Sequence, residues 1–148
     1  MPENKRNFVE RRALRFRVLY NKADEIWEEA RGEVQDCCNS FREHYGGELE
    51  DKLENGHRIR LTRTFKLENS DPPEVVRRIL LTFIKRGAPR IEITVDDLAP
   101  TVFQIDADER HAFISDSGRE ISVDEFAEKA LTEHLFNEPE PYRPLRSI

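Results

Sequence analysis

Between Arg90 and Phe136 the apolar residues recur first at every second position and then at every third or fourth. Ile91, Ile93 and Val95 alternate with Glu92 and Thr94, which predicts a half-buried strand. Val102, Phe103 and Ile105 predict a second strand, and Ala112, Phe113 and Ile114 a third. The links between them are short, so the three read as an antiparallel meander. Ser122 then caps a helix, with Glu125 in the place of a capping-box acid. Val123, Phe126, Ala127, Ala130, Leu131 and Leu135 form its apolar stripe.

Upstream, Leu14, Phe16, Val18 and Tyr20 alternate with Arg15, Arg17 and Leu19, again the pattern of a strand. The competing reading is one helix from Phe8 to Tyr45. At 1.5 Å per residue it would be about 57 Å long, too long to pack inside one small domain unless two copies pair. The strand is therefore preferred. Asn21 then caps a helix, with Asp24 three residues on, and Gly46 and Gly47 stop it. Its stripe is Ala23, Ile26, Ala30, Val34, Cys37, Phe41 and Tyr45, with Trp27 and Cys38 on the flank.

After a linker, EDKLENG, the run HRIRLTRTFKLE sets Ile59, Leu61, Phe65 and Leu67 on one face. Arg58, Arg60, Thr62, Thr64 and Lys66 fall on the other, and Arg63 breaks the alternation by sharing the apolar face. SDPPE predicts a further helix start, capped by Ser70 or Asp71 and burying Val76, Ile79, Leu80, Phe83 and Ile84 before Gly87 and Pro89. The predicted order is β-α-β-α-β-β-β-α. It makes a single two-layer α+β domain, a largely antiparallel sheet with helices packed on it, across residues 12–136. A flexible basic arm at residues 1–11 precedes it and a Pro-rich tail at residues 137–148 follows.

Composition narrows this picture only slightly. The 148 residues suffice for one core, and 37% hydrophobic with 36% charged residues is wet but not disordered in composition. No apolar run reaches the roughly 18 residues of a membrane span, and the start lacks a signal peptide's apolar segment, so a cytoplasmic protein without membrane contact is expected. The net charge of −6 argues against general attraction to nucleic acid. It is unevenly spread: Lys5, Arg6, Arg11, Arg12, Arg15 and Arg17 make the start basic, while acids dominate from Asp24 to Glu54. Cys37 and Cys38 are neighbours about 100° apart on a helix, unsuited to a disulfide and without zinc spacing.

Candidate chemistry is sparse. Asp106, Asp108, Glu109 and His111 are the densest group of metal-ligand types, yet polar residues belong in such a hairpin loop, and no metal or cofactor is expected. The segment SDSGREISVDEF fails the spacing of a calcium loop. His44, His57, His111 and His134 stand in no nucleophile motif, and the chain reads as leaning away from an enzyme. Pro141 to Arg146 fits a P-x-x-P-x-R ligand, a pattern frequent by chance.

Three functional readings follow. The leading one is a small non-catalytic interaction or regulatory domain of adaptor, immunity or chaperone type. It binds another protein or a second copy of itself, through an acidic helix that presents Trp27 beside its stripe and a separate basic strand face. The second is a nucleic-acid binder using a basic sheet face of Arg15, Arg17, Arg58 and Arg60. The third is a small-molecule binder or enzyme with Arg63 as anion anchor, since a buried arginine needs a partner.

Overall fold

The chain opens with one uninterrupted helix, α1 (Phe8–Tyr45), in a computed structural model that describes residues 6–67 and 71–139. Seven strands follow: β1 (Glu48–Glu54), β2 (Arg58–Lys66), β3 (Glu74–Ile84), β4 (Arg90–Val95), β5 (Thr101–Ala107), β6 (Ala112–Asp116) and β7 (Arg119–Ile121). A second helix, α2 (Val123–Phe136), closes the described fold. The strands pair in sequence order, every pair antiparallel, into one open sheet. The α+β class with helices on an antiparallel sheet therefore holds, but the element order is α-β-β-β-β-β-β-β-α.

Three assignments are corrected. Leu14 to Tyr20 is helical, part of α1, whose N-cap Asn7 accepts the Glu10 amide at 2.9 Å. Arginine and leucine are good helix formers, and a helix already nucleated downstream extends at little cost. Residues 8–11, expected in a loose arm, form the first turn. The second correction is β3, expected as a helix. Its run EVVRRILLTFI is apolar on both faces, so it satisfies a helical and a strand period equally, and its β-branched residues favour the strand. The linker EDKLENG supplies most of β1, a charged edge strand. Ser70, one of the proposed caps, and the proline motif of the tail lie outside the described residues.

One face of the sheet is the core. Ile59, Leu61, Ile79, Leu81, Ile91, Ile93, Ile105 and Ile114 project there against Ala23, Trp27, Ala30, Val34, Cys38 and Phe41 of α1 and Phe126, Ala130 and Leu131 of α2. Helix α1 touches β1 on one side and β5 and β6 on the other, so it crosses most of the sheet. Gly46 ends it in the left-handed conformation, and Gly47 must stay small because a Cβ there would sit 2.8 Å from the Phe41 ring. Ser122 caps α2 as expected, its Oγ accepting the Glu125 amide at 3.1 Å.

Candidate protein-docking surfaces

The apolar stripe of α1 outruns the sheet. Val9, Phe16, Tyr20, Trp27, Val34, Cys38 and Phe41 recur at intervals of three, four and seven residues, the spacing of one helical face. From Ala23 onward that face is buried. Before it, Val9, Phe16 and Tyr20 are 58%, 63% and 54% exposed, and Phe8 beside them 66%. Phe16 stacks on Tyr20, and the Lys85 ammonium caps the Tyr20 ring while pairing with Asp24 at 2.8 Å. One flank of this segment lies beside the β5–β6 hairpin, where Arg15 Nε donates to the Ala107 carbonyl at 3.2 Å and Phe16 borders the same cleft. Arg11, Arg12, Arg15 and Arg17 against Glu10 leave the projecting segment strongly basic.

A groove of about 510 Å³ lies between α1 and α2. The two helices run in the same direction there: Asp124 at the start of α2 faces Glu33, and Phe136 at its end meets Phe41 and Tyr45. Cys37, Phe41, Ala127 and Leu131 line the floor, and Glu33, Asp36, Asp124 and Glu128 the walls. Oε2 of Glu33 is buried without a hydrogen-bond partner among the described residues. Burial first, then the neighbouring Asp124 and Asp36, pushes the Glu33 carboxyl above its ordinary pKa. Burial and the same acids raise the Cys37 thiol, and burial pushes Cys38 up to about 12, so neither is an activated nucleophile.

The residues singled out from sequence are distributed otherwise than expected. Trp27 is a core residue, 3% exposed, its indole donating to the Gly56 carbonyl at 2.7 Å and stacking on Phe83. Arg15 and Arg17 project from α1, not from the sheet, because the strand that was to carry them is helix. Arg58 and Arg60 do share the uncovered sheet face with Lys66 and Arg78. Acids are interleaved with them: Glu54 pairs with Arg60 at 3.3 Å, Glu48 with Lys66 at 3.0 Å and Glu92 with Arg90 at 2.8 Å. The rings of β2 and β3, Phe65 and Phe83, are both on the core side.

Arg63 found its partner in the backbone. Its guanidinium donates to the Leu135 carbonyl at 2.9 Å and to that of Thr64, and lies 4.2 Å from the Phe65 ring centroid and 4.9 Å from that of Phe41. Its cross-strand neighbour Arg77 donates to the carbonyls of His134 and Asn137. Two arginines thus close the C-terminus of α2, where unpaired carbonyls and the helix dipole favour cations. In the hairpin before β6, the Asp108 carboxylate accepts the amides of Arg110 and His111, a turn-forming role. Among the described residues no cluster of three histidine, cysteine or acidic side chains is arranged to hold a metal ion, and no helix is long and apolar enough to cross a membrane.

No protein-family model, curated protein or solved structure matches the chain. The functional reading therefore stands on the geometry of its own surfaces. Sequence periodicity held the signal for the exposed stripe, because Phe16 and Tyr20 are four residues apart. Reading them as alternate positions of a strand hid their continuity with Trp27 and Phe41.

Proposed function

We propose that this chain is a non-catalytic interaction domain that docks another protein molecule through the projecting N-terminal third of α1. The observation that carries the proposal is the continuation of a core stripe past the core, as exposed Val9, Phe16 and Tyr20. Large apolar side chains grouped on one exposed helix face are the usual mark of a protein contact. The arginines around them suit attraction to an acidic partner surface. Raised cysteine pKa values and the absence of a nucleophile motif give an enzymatic reading little support.

Nucleic acid on the open sheet face has less behind it. Glu48, Glu54 and Glu92 neutralise part of that face, and a binder of single strands would want stacking rings among its cations. Arg63 as an anion anchor would have to release the carbonyls at the end of α2.

A photo-crosslinking residue in place of Phe16 tests the docking role in native extract. The expected result is crosslinked protein that survives nuclease, disappears with Tyr20→Glu, and is not seen with the crosslinker at exposed Glu43. Crosslinking equal at both positions, or lost on nuclease treatment, would overturn the reading.

A further inference from the structure

We infer that the projecting end of α1 docks into the α1–α2 groove of a second copy of this chain, an inference that rests on the docking role proposed above. Two surfaces of one molecule are complementary. The projecting segment offers Val9, Phe16 and Tyr20 among Arg11, Arg12, Arg15 and Arg17. The groove offers an apolar floor between walls carrying Glu33, Asp36, Asp124 and Glu128. Their lengths also match: residues 8–20 rise about 20 Å as a helix, and the 14 residues of α2 about 21 Å.

The groove has an unmet need of the right kind. Among the described residues Glu33 Oε2 is buried with no hydrogen-bond partner, and it faces the Asp124 carboxyl. A guanidinium from the arriving segment would supply donors to it and offset the like charges. Electrostatics also decides against the other way of covering the stripe by a second copy. Packing stripe on stripe would bring two arginine-rich segments together, whereas stripe in groove brings arginine to acid. Two copies related by a two-fold axis would make the contact twice.

Sedimentation of the purified protein over a concentration series tests this, with crosslinks from position 16 mapped on the isolated protein. The inference expects a dimer, with position 16 crosslinked to residues 33–45 or 123–136 of the other copy. Phe16→Glu with Tyr20→Glu should give monomer. Asp36→Lys with Glu128→Lys, both at exposed positions, should weaken the dimer about tenfold or more. Mixing the two double variants should restore a dimer held by one intact contact. A wild-type monomer throughout, or crosslinks from position 16 to residues 8–20 of the other copy, would overturn the inference. A purified monomer that still gave the Phe16-dependent crosslink in extract would overturn only the second-copy partner and leave the docking role standing.

Discussion

Arg63 shows at the level of one residue what a broken pattern signals. Its place on an apolar strand face announced the need for a partner. That partner is a carbonyl 72 residues away at the end of a helix, and no local spacing encodes it. With donated hydrogen bonds and two ring contacts in play, Arg63→Met should cost about 2 kcal/mol of unfolding free energy in urea titrations. An unchanged value would mean the helix end is satisfied without it. Glu33 makes a prediction of opposite character. Its carboxyl is held above the ordinary value of 4.5 by burial and by Asp124 and Asp36, so the folded state binds its proton more tightly than the unfolded chain does. The penalty is absent at low pH, where both states are protonated, and appears as pH rises from about 4.5 through the folded value. Glu33→Gln should remove this decline and be more stable than the parent above that window. Unfolding measured across a pH series would show it, and an unaltered slope would contradict the assignment.

At the scale of elements, the sheet from β4 to β6 and helix α2 were legible because each has one dominant period and clear end signals. Ser122 serves as the cap that its sequence position implied. The misread elements fail for definable reasons. In β3, Val76, Leu80 and Ile84 lie on the uncovered face and Ile79, Leu81 and Phe83 on the core face, leaving no polar side to reveal the period. In α1, residues 14–20 alternate by coincidence. Leu14 and Val18 fall on one side of the helix, and Phe16 and Tyr20 on another. The edge strand β1 is so charged that it resembles a linker, although charge is what keeps an edge strand from pairing further. Gly32 also belongs to this scale. It lies inside the continuous helix α1 at a point where a Cβ would meet nothing within 4 Å. Gly32→Ala should therefore stabilise the protein by about 1 kcal/mol, read as a raised denaturation midpoint at constant slope.

For the molecule as a whole, the length of α1 is the central fact. A helix of 38 residues was set aside from sequence as too long for one small domain unless copies pair. The fold keeps the helix and leaves its first third outside the core. That outcome explains why Phe16 and Tyr20, legible as apolar positions, were not recognised as surface: their exposure depends on where the sheet ends. The same stripe then differs along its length, packing the core from Ala23 onward and standing exposed before it, where we propose that a partner docks. Chemical denaturation of Phe16→Ala beside Phe41→Ala, both at dilute protein concentration, tests this most directly. The two positions share a residue type, a helix and a stripe, yet are 63% and 4% exposed. Phe41→Ala should cost about 3–5 kcal/mol as a core truncation. Phe16→Ala should stay within about 0.5–1 kcal/mol, the loss of a surface contact with Tyr20. Comparable losses at both positions would place Phe16 in the core of the single chain and contradict the account.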